Sequence, residues 1–406
     1  MFDVKEIREE FPILRKRVHN KPLCYLDNGA SAQKPQRVLD VINRTYSSEY
    51  ANVHRGLHFL SNTATDKFEA VREKIQGFLG AKSSDEIVFT SGTTEGINLI
   101  SHGWAENNLS EGDEIILSVM EHHANIVPWH FLRVKKGIVL KWVEPRSDGS
   151  LPAEDILKAV TPNTKLIAIT HMSNVLGSIV DVKTVCKSKL TTNIPVLIDG
   201  SQAAVHMKIN VRDIGCDFYT ITGHKLYGPS GSGAVYIARD RMEEMQPFMG
   251  GGSMIDEVKL DTVTFNVAPH KFEAGTPGIV EMIGLGAAID FIQDIGMDNI
   301  SEHEIELTNY AQVELDQLSW LSIQGSCQGK GAIFSFNMEG LAHPHDISTI
   351  LDRKGVAVRA GQHCAQPLMD HLGVKASCRA SFAMYNSRSE VDILVKSLKD
   401  CYEIFN

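Results

Sequence analysis

A single cysteine lies in a short polar segment near the C-terminal end of the chain, RAGQHCAQP at residues 359–367. This cysteine, Cys364, has three possible uses: a small core residue, a metal ligand together with the adjacent His363, or a nucleophile. The segment alone does not distinguish among them. The choice depends on which other chemical groups the fold brings to the thiol.

The strongest single motif surrounds Lys225, in ITGHKLYGPSGSG at residues 221–233. A lysine is usually a solvated surface residue. Here it ends a mostly apolar run, FYTITGHK, and a Gly-rich loop follows, so the amine is expected near the end of a buried strand. A lysine that forms a Schiff base needs such a partly desolvated amine. Thr222 and His224 lie close enough in sequence to hold phosphate oxygens beside it.

Two further segments supply an anion site and a carboxylate. TSGTTEG (90–96) joins a strand to a helix, where backbone N–H groups and hydroxyls bind phosphate; the alternative is an ordinary helix start capped by Thr93 or Thr94. VLIDGSQA (196–203) puts Asp199 at the end of an apolar strand. That carboxylate either caps the next helix or holds a protonated ring nitrogen, as in a pyridoxal phosphate (PLP) site.

A pair of histidines follows another predicted strand, in MEHHANIVPW at residues 120–129. Adjacent histidines lack the i, i+4 spacing of a helical zinc pair, and no acidic or cysteine cluster lies near them. An imidazole stacked on a flat cofactor ring is the better functional interpretation. An anion cradle, a ring-nitrogen carboxylate, a stacking imidazole and a Schiff-base lysine together describe a PLP pocket.

The elements that must position these groups alternate between short strands and helices. EIVFT, EIILSVM, KLIAITHM, PVLIDGS and FYTITGHK are predicted strands, with helical stretches such as NIVPWHFLRVKKG and VKTVCKSKL between some of them. Such alternation predicts an α/β fold with a mostly parallel, doubly covered sheet. Ligands bind beyond the carboxyl ends of its strands.

The pattern changes near residue 265. Two long helices, IVEMIGLGAAIDFIQDIG and ISEHEIELTNYAQVELDQL, are followed by the strands IFSFNM and VAVRAG, the run CRASFAMYN and a last helix. We therefore expect a large PLP-binding domain at 22–265 and a smaller α+β domain built from 1–21 and 266–406.

Composition narrows the class of protein. The chain has 406 residues, which suits two domains, and a net charge of −10, which argues against a nucleic-acid binder. We see no apolar run long enough to cross a membrane and no signal peptide. The seven cysteines are scattered, without a CxxC pair, which indicates reduced thiols and a cytoplasmic location.

The order of the motifs resembles that of a known family. The sequence is similar to group II cysteine desulfurases of the SUF iron–sulfur assembly type, in the class V aminotransferase branch of fold-type I PLP enzymes. The similarity runs from YLDNGASAQKP to CRASFAMYN and is carried by SGTTEGIN, MEHHANIVPW, THMSNVLG, DGSQA, GHKLYGPSG, FEAGTP and RAGQHCAQPLM.

This resemblance implies a role for each cofactor-binding residue. Lys225 would carry PLP, Asp199 would hold the pyridine nitrogen, His122 would stack on the ring and Gln202 would lie near the ring hydroxyl. The residues implied in phosphate binding are Thr93, Thr94, Thr222 and His224, with Thr276 reaching the phosphate of the other subunit in a homodimer.

The resemblance also implies the reaction. Asn174 and Arg379 would bind the substrate carboxylate, and His54 and Arg55 would lie in an active-site loop. L-cysteine would become L-alanine, and Cys364 would take the sulfur as a persulfide before a sulfur-acceptor protein of the iron–sulfur assembly system receives it. The family's cysteine loop usually has a histidine where this chain has Gln362, so the role of that position is open.

Several alternatives remain at this point. A selenocysteine lyase, a cysteine sulfinate desulfinase or a kynureninase-like hydrolase of the same family needs Cys364 less or not at all. A sulfur-carrier or scaffold subunit without catalysis is a second class, although Lys225 and Asp199 argue against it. A zinc protein is a third, and its candidate ligands are His343, His345, His363 and Cys364.

Overall fold

A computed structural model describes residues 2–338 and 340–406, and its centre is a seven-stranded sheet. The predicted strands are present and are largely or wholly buried. In sheet order the seven strands are Ile87–Thr90, Gly233–Ile237, Phe218–Thr222, Val196–Asp199, Thr164–Thr170, Glu114–Ser118 and Val139–Val143.

The sheet is mostly parallel, as predicted, with one antiparallel strand that the sequence analysis did not identify. Gly233–Ile237 runs antiparallel to both of its neighbours. It follows Phe218–Thr222 after the Gly-rich loop 223–232, which has no room for the crossover helix that a parallel connection needs. The α/β class of the prediction is confirmed, with a mixed rather than a purely parallel sheet.

Both faces of this sheet are covered. Ile116 packs in one hydrophobic cluster, whereas its neighbours Ile115 and Leu117 pack in another, because successive side chains of a strand point to opposite faces. The helices of this region include Phe59–Leu79, Thr93–Ile100, Val127–Lys136, Ala153–Lys158 and Val182–Lys187.

A second, four-stranded antiparallel sheet lies in the C-terminal part, in the order Ser322–Gln324, Ile333–Asn337, Ser377–Ser381 and Arg359–Gly361. The long predicted helices are Ile279–Ile295 and Met297–Asp316, and two further helices follow at Pro344–Arg353 and Arg388–Phe405.

The run VAVRAG forms two strands rather than one. Arg359–Gly361 joins the four-stranded sheet, while Val356–Ala357 pairs in parallel with Cys24–Tyr25 from the N-terminal part of the chain. Cys24 accordingly packs in the hydrophobic cluster of the C-terminal part. The division into 22–265 and 1–21 with 266–406 stays a prediction.

The fold gathers five strand ends on one edge of the large sheet. Thr90, Ser118, Thr170, Asp199 and Thr222 are the last residues of their strands. Four of these strands pair with one another in parallel. The fifth, Ile87–Thr90, runs in the same direction because it and Phe218–Thr222 are both antiparallel to the strand between them, Gly233–Ile237. Within the described residues, no helix is both long and apolar enough to span a membrane.

Candidate active site

A cavity of about 410 Å³ opens at this edge of the sheet. Eleven of the predicted site residues line it: Thr93, Thr94, His122, Asn174, Asp199, Gln202, Thr222, His224, Lys225, Cys364 and Arg379. Nine of them lie at or shortly after the five strand ends, whereas Cys364 and Arg379 come from the C-terminal part of the chain.

The amine of Lys225 is partly buried in the cavity wall. Its Nζ makes no hydrogen bond to any described residue, and burial lowers its pKa to about 8 against the opposing effect of Asp199. Arg379 lowers the same pKa further because both side chains are cationic. About a tenth of this lysine is therefore neutral at pH 7, far more than at the ordinary lysine pKa of about 10.4, and the neutral form is the one in which an amine is nucleophilic.

Asp199 is almost fully buried, and only one of its carboxylate oxygens is used by the protein. Oδ1 accepts hydrogen bonds from the backbone N–H of Ser201 (2.9 Å) and from its hydroxyl (2.5 Å). The Ser201 hydroxyl also lies 2.8 Å from Thr93 Oγ1. Among the described residues, Oδ2 has no hydrogen-bond donor, so this oxygen is available to a group in the cavity.

The start of the helix Thr93–Ile100 forms one end of the cavity. Gly92 is its N-cap residue, so neither threonine at the helix start is used for capping. A side chain at Gly92 would lie 3.2 Å from Thr222 Oγ1, and its φ of 151° is one that other residues rarely adopt. The close approach brings backbone N–H groups and the Thr93 and Thr222 hydroxyls to one place, a geometry suited to a phosphate.

His122 and His224 are both held as neutral rings. Burial lowers the pKa of each to about 4, and the nearby positive charge of Lys225 adds to the effect. His122 Nδ1 accepts a hydrogen bond from the backbone N–H of Ala124 (3.1 Å), which leaves the proton of the neutral ring on Nε2. A neutral imidazole fixed in this way can stack on a flat ring.

Arg379 is buried, and its guanidinium is fixed from two sides. Its NH1 donates to the carbonyl oxygen of Asn174 (2.9 Å), and its NH2 lies 3.4 Å from Asp27 Oδ1. Its Nε is buried without a partner among the described residues. Burial lowers the pKa of Arg379 to about 10 although Asp27 opposes the shift. The group remains cationic at neutral pH and keeps hydrogen-bond donors for an anion.

Two residues of this arrangement were not predicted as site residues. Asp27 accepts two hydrogen bonds from Arg359 (3.0 and 2.9 Å) as well as contacting Arg379, and Arg359 lines the cavity. Both lie in segments that carried the family resemblance, YLDNGASAQKP and RAGQHCAQPLM. Only that resemblance could have indicated these two residues from the sequence, because Asp27 lies more than 300 residues from its arginine partners.

The thiol of Cys364 is exposed at the cavity wall. The backbone φ angles of Cys364 and His363 are both 54°, in the left-handed region that most residues avoid. The loop is held in this conformation by the backbone N–H of His123, which donates to the Cys364 carbonyl (2.7 Å). His123 Nε2 in turn accepts from the backbone N–H of Gln366 (3.1 Å). This tight loop presents the sulfur toward the cavity.

Among the described residues, the ring of His363 contacts Ser377 and is not part of a cluster that could hold a metal ion. Its Nε2 lies 3.0 Å from Ser377 Oγ, and its carbonyl oxygen accepts from the Asn174 amide (2.8 Å). His343 caps the helix Pro344–Arg353 by accepting from the backbone N–H of His345. Residues 2–338 and 340–406 contain no group of three or more His, Cys, Asp or Glu side chains placed to hold a metal ion.

Three predicted site residues lie outside this cavity. His54 and Arg55 line a separate cavity of about 310 Å³, and Thr276 lines another of about 200 Å³. The Thr276 cavity shares Ser91 and Glu95 with the main one. Within one chain, the structure does not bring these three side chains to Lys225.

The polar groups present fit PLP. A helix start with two hydroxyls suits its phosphate, the unused oxygen of Asp199 suits a protonated ring nitrogen, and the partly neutral Lys225 suits its aldehyde. Gln202, whose Nε2 donates to the Gly29 carbonyl (2.8 Å), lines the same wall. The chain therefore has the residues that would hold this cofactor.

Known proteins are similar to this chain over nearly its whole length. Residues 24–394 match the model of the aminotransferase class-V family. A probable cysteine desulfurase of Halalkalibacterium halodurans and a cysteine desulfurase of Salmonella newport are each 46% identical, over 98% of both chains.

Solved structures agree with the sequence comparisons. The cysteine desulfurase CsdA of Escherichia coli, in an S-sulfonic acid form, superposes with a TM-score of 0.92 at 36% identity and covers 100% of both chains. A cysteine desulfurase of Thermococcus onnurineus NA1, in its apo form, gives 0.92 at 35% identity over 98% of both chains. The four relatives named above are cysteine desulfurases or, in one case, a probable cysteine desulfurase. The chain therefore belongs to the aminotransferase class-V family of PLP-dependent enzymes.

Proposed function

We propose that the protein is a PLP-dependent cysteine desulfurase that converts L-cysteine to L-alanine and transfers the sulfur to Cys364 as a persulfide. The observation that carries this proposal is the exposed Cys364 thiol in the wall of a cavity that also contains Lys225 and Arg379. A nucleophile, a proton carrier and a carboxylate-binding cation then face the same small substrate.

Substrate binding is assigned to Arg379 and Asn174. The guanidinium is preoriented by Asp27 and by the Asn174 carbonyl, so little ordering is needed when an amino-acid carboxylate arrives. An arginine can grip a carboxylate through two parallel hydrogen bonds. This contact would fix the substrate with its side-chain sulfur facing the Cys364 loop.

Proton transfer is assigned to Lys225. When bound, PLP supplies an electron-accepting ring that makes bonds to the substrate α-carbon easier to break. The amine of Lys225, with a pKa near 8, is suited to accept and return a proton at the α-carbon near neutral pH. Asp199 would keep the ring nitrogen protonated.

Sulfur transfer is assigned to Cys364. The thiolate attacks the substrate sulfur, so that an S–S bond forms while the substrate C–S bond breaks. The electron pair of the broken bond goes to the β-carbon, which takes a proton and becomes the methyl group of alanine. The persulfide on an exposed loop is then accessible to an acceptor.

We propose that the protein acts as a homodimer with shared active sites. The hairpin Ile255–Val258 and Val263–Phe265 exposes apolar residues, among them Val258, Leu260 and Phe265. It lies beside His54 and Arg55, since Ile255 lines their cavity. An exposed apolar patch of this kind is typical of an interface, and it supports delivery of His54, Arg55 and Thr276 to the other subunit's site.

We further propose that the sulfur serves iron–sulfur cluster assembly in the cytoplasm, through an acceptor protein. The support is the similarity to the SUF-type desulfurases and the accessibility of Cys364. Adding candidate acceptors to purified protein with L-cysteine, and measuring alanine and sulfide, tests it. An acceptor should increase the rate of alanine formation and reduce the amount of sulfide released into solution.

Mass spectrometry of the digested protein tests the desulfurase proposal directly. After brief exposure to L-cysteine, one sulfur should appear on the peptide containing residues 359–367, and reducing agent should remove it. Cys364→Ala should still bind PLP and still change its visible spectrum with L-cysteine, but release little sulfide.

Cys327→Ala is the matched control, because Cys327 is a partly buried thiol in a different cavity. It should behave as the wild type. Turnover of L-cysteine by Cys364→Ala at the wild-type rate would overturn the proposal. Direct elimination of sulfide, without a persulfide on Cys364, would then be the remaining mechanism. Turnover of L-selenocysteine or cysteine sulfinate alone would assign the chain to the related activities.

A further inference from the structure

Glu121 is a carboxyl group with no exposed surface, next to the predicted stacking residue His122. Its Oε1 accepts hydrogen bonds from Ser118 Oγ (2.5 Å) and from the backbone N–H of Thr170 (3.0 Å). Its Oε2 accepts from the amide of Asn125 (2.8 Å). Burial raises the pKa of Glu121 to about 8 although these three contacts oppose the shift. Burying a carboxyl group is costly unless it is hydrogen-bonded, and here both oxygens have partners.

The contact with Thr170 replaces a missing strand pairing. The pairing of Glu114–Ser118 with Thr164–Thr170 extends only to Ile116 and Ile167. On its other side Thr170 pairs with Asp199. The N–H of Thr170 therefore points to where the neighbouring strand has already ended, and the Glu121 carboxyl takes the place of the absent backbone acceptor. Glu121 thus joins two adjacent strand ends under the cavity.

The contact with Asn125 anchors the turn at residues 119–125 from its other end. Asn125 Oδ1 accepts from Trp129 Nε1 (3.0 Å), and Trp129 is fully buried in the hydrophobic core. The chain of contacts from Thr170 through Glu121 and Asn125 to Trp129 contains no solvent-exposed side chain. The turn is consequently fixed to both the sheet and the core.

Two site features depend on this turn. It carries the His122 ring, and it carries His123, whose backbone N–H holds the Cys364 carbonyl and whose side chain accepts from Gln366. We propose that Glu121 is a positioning residue that fixes this turn, and through it sets both the His122 ring and the Cys364 loop. The inference rests on the site assignment made above.

The arrangement of donors and acceptors in this network allows a test whose result differs from that of a general loss of stability. In Glu121→Gln, the new amide has one acceptor and one donor end, but it faces N–H donors from Thr170 and Asn125. Flipping the Asn125 amide does not help, because its NH₂ group would then face Trp129 Nε1–H. A second change, Asn125→Asp, supplies an acceptor to both the new amide and Trp129. The double variant should therefore restore the network.

The experiment compares Glu121→Gln, Asn125→Asp and the double variant as full-length protein loaded with PLP, without substrate. It measures the circular dichroism of the PLP band, the PLP dissociation constant and the rate at which iodoacetamide alkylates Cys364, followed on its own peptide. Glu121→Gln should change the dichroism, weaken PLP binding about tenfold and alter the alkylation rate severalfold. The double variant should recover most of each change.

Glu304→Gln is the matched control, because Glu304 is a buried carboxylate paired with His206 and lies outside the main cavity. It should lower the thermal midpoint and leave the PLP band unchanged. If Glu121→Gln is not recovered folded, Asn125→Ala removes the Oε2 contact and the acceptor of Trp129 Nε1 but leaves both Oε1 contacts, and it should give smaller changes of the same sign. A lowered thermal midpoint with an unchanged PLP band and alkylation rate would overturn the proposal.

A failure of the proposed function is distinguishable from a failure of this inference. Wild-type protein that binds no PLP would refute the site assignment itself. If instead the wild-type protein binds PLP, the role of Glu121 alone is refuted when both variants match it. The variants Glu121→Gln and Asn125→Ala would then show the wild-type PLP dichroism, PLP affinity and Cys364 alkylation rate.

Discussion

Replacement of Arg379 by lysine should separate substrate recognition from cofactor binding. The variant keeps the positive charge but loses the planar fork that meets a carboxylate at two points. It also cannot reproduce both protein contacts, to the Asn174 carbonyl and to Asp27. We expect Arg379→Lys to raise the KM for L-cysteine and to leave the visible spectrum of bound PLP in place.

The magnitude follows from the contacts that are lost. A hydrogen bond to a charged group contributes about 1.5–3 kcal/mol, so losing one of the two expected at the substrate carboxylate raises KM by about 10- to 100-fold. Because the charge is kept, the electrostatic lowering of the Lys225 pKa by residue 379 should persist. The pH dependence of kcat should therefore stay close to that of the wild type.

The assay is alanine formation as a function of L-cysteine concentration, with PLP content measured by absorbance. Arg8→Lys is the control, because Arg8 also forms an ion pair with a buried carboxylate, Glu390, outside the cavity. It should affect thermal stability and not KM. Wild-type kinetics in Arg379→Lys would refute the reasoning and make Arg379 a structural residue.

Two further predictions concern the cofactor. In PLP-free protein, the rate at which Lys225 reacts with added PLP should rise with pH to a midpoint near 8, because the lowered pKa makes the amine neutral above that pH; a midpoint near the ordinary lysine value of about 10.4 would contradict it. Thr276→Ala should weaken PLP retention measured by dialysis, since in the proposed homodimer it removes one hydroxyl from the phosphate site of the other subunit. Active monomers in light scattering would argue against the shared site.

The groups at the strand ends could be predicted from sequence because each follows an apolar run. Asp199 is the last residue of one buried strand and Lys225 follows another after two residues, and parallel strands in one sheet end at one edge. Proximity of these side chains thus follows from the strand pattern alone. The strand Gly233–Ile237 was not predicted, and the sequence pattern alone would not have shown its antiparallel direction.

The residues that hold the site in place were harder to predict. Asp27 contacts Arg379 across 352 positions, and no local pattern indicates such a pair. Glu121 precedes two histidines in a polar stretch, so its complete burial is not apparent from its neighbours. Ser201 lies inside a predicted motif, but its contact with Asp199 depends on a turn that becomes visible only in three dimensions.

The contrast in burial between Lys225 and Cys364 matches the two parts of the proposed reaction. Proton transfer at the substrate α-carbon benefits from a desolvated amine, and burial is what lowers the pKa of Lys225 toward neutral pH. Sulfur delivery requires the opposite, because a persulfide must be reached by another protein, and Cys364 is the exposed cysteine of the chain's seven. Both groups line one cavity because the turn at residues 119–125 holds the Cys364 loop against the sheet edge where Lys225 lies. We therefore propose that the geometry of that turn couples the two steps.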